Sequence, residues 1–256
     1  MDASALDADS IRCSEDAYVD RLIESAPQHG ATIVAAALAR AYIDVNREPW
    51  ELDPTMYEDE LPVFARARTA RVAAGLGSIA RLVSEGKEIY SRKLRFAEAT
   101  FRVEHGHRPY HLALGDILAD VKRQHGVAVL IDWHSMPTAA AKAGLLGRDR
   151  CDFVLGDRYG ASCANAVTRL VEKALEAMGY VVVRNAPFAG GYTTEHYGRP
   201  ASGIHALQIE INRDLYLDEA TLRLTAGFAK LKADLDRLFV TLGGVDWCRL
   251  LEPTRL

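Results

Sequence analysis

The sequence predicts an α/β fold with a mixed, mostly parallel central sheet flanked by helices. Three observations predict it. Short apolar runs occur at 127–131, 153–155, 180–183 and 207–211, the lengths and compositions of strands buried on both faces. Longer segments between and after them carry apolar residues at helical spacing. Strand and helix signals alternate along the chain, the order that a sheet covered on two sides requires.

The elements follow in order. Residues 16–25 read as a helix, with Ser14 and Glu15 as start signals. Residues 31–37 and 42–45 are apolar, and either run could be a strand. The acidic stretch 50–61, broken by Pro54, reads as a loop. Residues 71–74 form a plausible strand before Gly75-Leu76-Gly77-Ser78-Ile79-Ala80, which fits the loose GxGxxA form of a dinucleotide loop. No clear helix with a ribose-binding acid comes next, so a turn with close backbone approach is the preferred reading. Leu112, Leu114, Ile117, Leu118 and Val121 define a helix over 110–124 that stops at Gly126 and feeds the strand 127–131. A helix over 164–178, closed by Gly179, precedes the strand 180–183. Residues 185–202 are rich in Gly and Pro and read as a loop, 207–211 as the last strand, and 219–242 as the closing helix. No repeat or linker interrupts the chain, so a single domain over 1–256 is expected.

Composition narrows the function classes. The 35 acidic and 31 basic residues leave a net charge of −4, which gives no electrostatic footprint for nucleic acid or an anionic membrane. No apolar run reaches the roughly 18 residues of a membrane span, and the first twenty residues lack the pattern of a signal peptide. Cys13, Cys151, Cys163 and Cys248 show no CxxC pairing and read as reduced thiols of a cytoplasmic protein.

The chemistry collects at predicted strand ends. Glu210 lies inside an apolar run, and Asp132 and His134 follow another. A buried carboxylate costs several kcal/mol, roughly, unless a cation or hydrogen bonds compensate, so a bound metal is the economical explanation. Alternatively, Glu210 pairs with Arg213 in a structural salt bridge. Tyr110-His111 and His196 are further polar groups for which substrate contact, capping and solvation all stay open.

Six blocks, in order, carry a family resemblance: Ser14-Glu15-Asp16-Ala17-Tyr18-Val19-Asp20, Asp44-Val45-Asn46-Arg47, Asp132-Trp133-His134-Ser135-Met136-Pro137, Leu155-Gly156-Asp157-Arg158-Tyr159-Gly160, Asn185-Ala186-Pro187-Phe188-Ala189-Gly190-Gly191-Tyr192 and Gln208-Ile209-Glu210-Ile211-Asn212-Arg213. Together they resemble the N-formylglutamate amidohydrolase family over residues 2–239. The resemblance implies a zinc-carboxypeptidase-like fold, one divalent metal such as Zn2+, and hydrolysis of an N-acyl amino acid to a carboxylate and a free amino acid. It implies His134 and Asp16 as metal ligands, with Glu15 and Asp20 competing for the acidic position, and Glu210 as the general base. Arg47, Arg71 and Arg213 would grip substrate carboxylates, which a planar guanidinium can do bidentately. Asn46, Asn212, Gly190, Gly191 and Tyr192 would complete the substrate site.

The family also carries a Ser-Pro-His-Ser-Gly segment before its first helix. The sequence starts just before the stretch that follows it, and no His precedes His29. The first metal-binding strand is therefore expected to be missing from this sequence, either because the chain start is misplaced or because the protein lacks that ligand. That expectation keeps a second class open, a non-catalytic ligand-binding relic of the fold. A deacylase or carboxypeptidase with another N-acyl substrate is the rival among enzymes.

Overall fold

The computed structural model describes residues 3–83, 86–143 and 150–252. Asp2, where the family resemblance begins, lies outside them. The chain forms two compact units, each discontinuous in sequence: residues 1–15 with 36–115, and residues 16–35 with 116–256.

The first unit is mostly loop, with short helices α1 (Ala8–Arg12) and α3 (Ala70–Ala73), the helix α4 (Phe96–Arg102) and the start of α5 (Arg108–His125). The helix α2 (Val19–Leu22) belongs to the second unit. Two apolar clusters hold the first unit, one around Ile43, Leu52, Ile79 and Leu94, the other around Ile11, Ala41, Val83 and Ile89. Its loops are tied by buried acids. Asp44 accepts from the Asn46 N–H at 2.9 Å and from Arg40 Nε at 2.8 Å, with Arg47 Nε 3.7 Å away. Burial works to raise the Asp44 carboxyl, but Arg40 and Arg47 outweigh it and hold the group below the usual carboxylate range.

The second unit contains a four-stranded sheet of order β1-β4-β2-β3, with β1 (Ala128–Met136), β2 (Phe153–Gly156), β3 (Val182–Arg184) and β4 (Ile204–Asn212). β1 runs parallel to β4 and β2 parallel to β3, while β2 meets β4 antiparallel. One face packs Leu207, Ile209, Ile211, Phe153 and Leu155 against α7 (Asn165–Ala177) and α9 (Gly227–Gly243). On the opposite face, α6 (Thr138–Ala143) lays Ala141 against Met136 and Val154, and α8 (Tyr192–Tyr197) packs on β4. The expected α/β class with a mostly parallel sheet between helices is what forms.

Several local expectations are corrected. Residues 31–37 form no strand: the run is largely alanine and offers little apolar area. Residues 42–45 also turn rather than extend, because the Asp44 side chain takes the N–H two residues on and competes with a strand ladder. Residues 71–74 belong to a helix, capped by the Thr69 hydroxyl on the Val72 N–H. No strand therefore leads into the GxGxxA segment, and the dinucleotide reading fails. A turn does form there: a Cβ on Gly77 would come within 2.3 Å of the Glu51 carbonyl.

The helix expected over 16–25 is reduced to α2, because Tyr18 at φ 62° cannot continue it, and α1 precedes it. The glycine-rich segment 185–202 contains α8. The closing helix starts at Gly227 instead of 219, because Asp218 accepts from the Thr221 N–H and turns the chain into a hairpin of β5 (Leu217–Asp218) and β6 (Arg223–Leu224). A short helix α10 (Trp247–Leu250) follows.

Replacing Asp44 with Asn should destabilise the chain by about 2–4 kcal/mol at pH 7, since Arg40 and Arg47 lose their counter-charge. A lowered carboxyl contributes stability above its unfolded value, and that contribution disappears as pH falls through the folded value. Urea unfolding should thus show the wild type and the variant converging in acid. A pH-independent gap would contradict this role for Asp44.

Candidate active site

The register of β1 and β4 builds the site. Asp132 pairs with Gln208 and His134 with Glu210, so these four side chains share one face of the sheet. All four residues are buried or nearly so. β1 is an edge strand, and its Ser135 N–H finds a carboxylate instead of another strand: it donates to Asp16 Oδ1 at 2.8 Å. The same Asp16 reaches His134 Nδ1 at 3.0 Å through Oδ2, and Asp132 Oδ1 reaches His134 Nε2 at 3.0 Å. The imidazole is thus clamped between two acids. Burial alone would depress its pKa, yet Asp132 and then Asp16 outweigh burial and lift it well above the ordinary histidine value.

Glu210 is positioned through Gln208. The Gly191 N–H donates to Gln208 Oε1 at 2.7 Å, and Gln208 Nε2 donates to Glu210 Oε1 at 2.7 Å. The glycines permit this approach. A Cβ on Gly156 would meet the Ala189 carbonyl carbon at 2.7 Å, and Gly190 sits at φ +129° with a Cβ position 2.5 Å from Thr194 Oγ1. Tyr192 opens α8, and its ring stacks on His196 with centroids 5.0 Å apart. Burial and Arg199 depress the His196 pKa.

Other expected site residues lie in the same unit but are engaged differently. Arg213 is buried and donates from Nε to Ser135 Oγ at 3.1 Å, while that hydroxyl lies 3.3 Å from Asp16. Asn212 accepts from the Thr138 hydroxyl and the Asp214 N–H and donates to the Cys151 carbonyl, so its polar atoms serve the fold. Asp20 is exposed on α2, and Glu15, which belongs to the first unit, pairs with Arg12 at 3.2 Å. Of the candidate acids, Asp16 meets His134.

Asn46, Arg47 and Arg71 belong to the first unit. Arg47 Nη1 donates to the Asn46 carbonyl at 3.0 Å and its Nε to the Leu76 carbonyl at 3.2 Å. Arg71 Nη1 lies 3.8 Å from Glu51 Oε2, and Thr69 also donates to Glu51. Burial depresses the Arg47 pKa, Asp44 opposes it, and the charges of Arg40 and Arg71 depress it further. Three guanidiniums thus gather around two acids. His107 and His111 sit against the carbonyls of Arg47 and Val45 at 2.9 and 2.8 Å, which places Tyr110-His111 within α5 rather than ahead of it.

Asp132 was singled out at its strand end without an assigned role, and Gln208 was not among the candidates. Strand parity is the signal for Gln208, which stands two residues from Glu210 on the same strand. Donor chemistry suits a divalent cation, with an imidazole beside two carboxylates. A divalent cation in place of the imidazolium proton would leave three acids, Arg213 and the cation formally neutral. Among the described residues, no three His, Cys, Asp or Glu side chains surround a common point. The physical reason is that the two acids occupy opposite ring nitrogens, so His134 must give up one of them to ligate.

The site is a buried cluster of an imidazole and carboxylates on one face of an α/β sheet, and comparison with known proteins gives its family. The family model for N-formylglutamate amidohydrolase matches residues 1–217. The N-formylglutamate deformylase of Pseudomonas putida is 34% identical over 206 residues, covering 80% of this chain and 71% of that protein. Its counterpart in Pseudomonas aeruginosa is 31% identical over 222 residues, covering 86% and 77%. The crystal structure of N-formylglutamate amidohydrolase from Ralstonia eutropha JMP134 superposes with a TM-score of 0.87 at 37% identity, over 94% of this chain and 86% of that one. A gene product of Agrobacterium tumefaciens, 18% identical with a TM-score of 0.60, shares the fold. The chain belongs to the N-formylglutamate amidohydrolase family.

Replacing Gln208 with Leu should cost about 2–3 kcal/mol, because the Gly191 N–H loses its buried acceptor and Glu210 a donor. Thermal unfolding measures this, and an unchanged midpoint would contradict the bridging role.

Proposed function

We propose that this protein hydrolyses the N-formyl amide of N-formylglutamate, adding water to give formate and glutamate. The pairing of His134 with Glu210 across the β1–β4 register carries the reading, in a chain whose relatives are named N-formylglutamate deformylases. Glu210 takes a proton from the attacking water and returns it to the leaving nitrogen, which departs poorly unless protonated. Gln208 holds that carboxylate in one orientation. His134, with Asp16 or Asp132, would hold a divalent cation, zinc being the expected one. Such a cation, when bound, would acidify water and polarise the formyl carbonyl. The acid left on the other ring nitrogen fixes the tautomer and orientation of His134.

The first unit holds an arginine-rich group that includes Arg47 and Arg71, and a planar guanidinium can grip a carboxylate bidentately. Asn46 lies beside it on the same loop.

Formate release from N-formylglutamate tests the proposal. Glu210→Gln should lose roughly 100- to 10,000-fold in rate while metal content is unchanged. His134→Ala should lose both metal and activity and keep its fold. Retained turnover in Glu210→Gln would remove the general-base assignment, and retained metal in His134→Ala the ligand assignment. Hydrolysis of other N-acyl amino acids in preference to the formyl compound would make the chain a deacylase of different specificity.

A further inference from the structure

We infer that the first unit carries a second binding site, built around Arg102, for a phosphate monoester on a flat apolar body. This inference does not depend on the proposed hydrolytic activity, and none of its residues takes part in it.

Arg102 ends α4 and is only 6% exposed. Its Nη1 donates to the Tyr42 carbonyl at 3.2 Å and to the Tyr90 hydroxyl at 2.6 Å. Its guanidinium carbon lies 4.4 Å from the centroid of the Tyr42 ring and 5.3 Å from that of Tyr90. Among the described residues, no carboxylate pairs with it within ion-pair distance, and Nε and Nη2 donate to nothing. Burying a guanidinium without a counter-ion is costly, and cation–π contacts with two tyrosines offset only part of that. The group lines a cavity of about 580 Å³.

Charge and shape in this cavity point to the ligand. Arg92 and Arg95 join Arg102 in the lining, against the single carboxylate of Glu98. Arg92 holds Glu98 in a fork at 2.9 and 3.0 Å, and with help from the Arg95 N–H brings its pKa down to about 2, so the carboxylate stays charged. Arg95 stands on the rim, 3.6 Å from Glu58. The lining carries three guanidiniums against one carboxylate, with Glu58 facing Arg95 outside it, so positive charge is in excess and an anion is favoured. Guanidiniums arriving from three residues suit the several oxygens of a phosphate better than the plane of one carboxylate. The remaining walls are the rings of Tyr42, Tyr90 and Phe101, the last 56% exposed, which offer flat apolar faces to the body of the ligand.

Isothermal titration of the full chain with phenyl phosphate tests the inference, with inorganic phosphate and phthalate in parallel. Phenyl phosphate should bind one per chain with a Kd below about 1 mM, and inorganic phosphate about tenfold more weakly. Arg102→Met and Arg95→Ala should each weaken phenyl phosphate about tenfold. Arg95 is exposed, so its variant keeps the test decisive if Arg102→Met fails to fold. Absence of binding to phenyl phosphate, or an unchanged Kd in folded Arg95→Ala, would overturn the site. Phthalate binding as tightly as phenyl phosphate would overturn the choice of a phosphate. Displacement of phenyl phosphate by N-formylglutamate would overturn its independence from the substrate.

Discussion

The constraint on which the site depends is the burial of a histidine between two carboxylates at the edge of a parallel strand pair. Once β1 and β4 pair in register, His134 and Glu210 must share a face, and period-2 alternation brings Asp132 and Gln208 with them. A one-residue slip would move the whole set to the face that packs Leu207, Ile209 and Ile211 against α7 and α9. The apolar core and the polar site therefore specify the same register. The edge position of β1 adds the last member: its Ser135 N–H requires an acceptor, Asp16 supplies it, and the same carboxylate closes on His134.

The charge of the cluster makes it suited to chemistry rather than stability. Acids around a buried imidazole raise its proton affinity, and a cation entering the cluster must compete with that proton. Gln208 donates a neutral amide hydrogen bond to Glu210, a contact that orients the carboxylate without placing a charge on it. Glycines at 156 and 190 bring a loop backbone against the strand, where side chains would keep it away.

Much of the sheet was legible in the sequence, because its strands are continuous apolar runs and α7 has a clear helical period. Two helices were placed with the right type and end, since Gly126 and Gly179 take positive φ after them. The misses share a cause in side chains that turn the backbone. Asp44 bends 42–45 out of a strand, Asp218 makes a hairpin of a supposed helix start, and Tyr18 in the left-handed region delays the helix start to Val19. Such effects depend on one hydrogen bond or one dihedral, below the reach of periodicity. His134, Asp16 and Glu210 were singled out by motif order and Asp132 by its strand end, whereas Gln208 required strand parity to be applied to those motifs. The tie of Asp16 to β1 spans more than a hundred residues of sequence and has no local signal.

The central claim is that Asp16 and Asp132 raise the proton affinity of His134, so that the proposed cation would have to displace that proton. Nitrogen NMR of the chelator-treated chain at pH 7.5, before and after adding zinc, addresses it most directly. The account expects both ring nitrogens of His134 protonated without metal and one proton lost on zinc binding. A neutral His134 ring in the metal-free chain, or a ring unchanged by bound zinc, would contradict it.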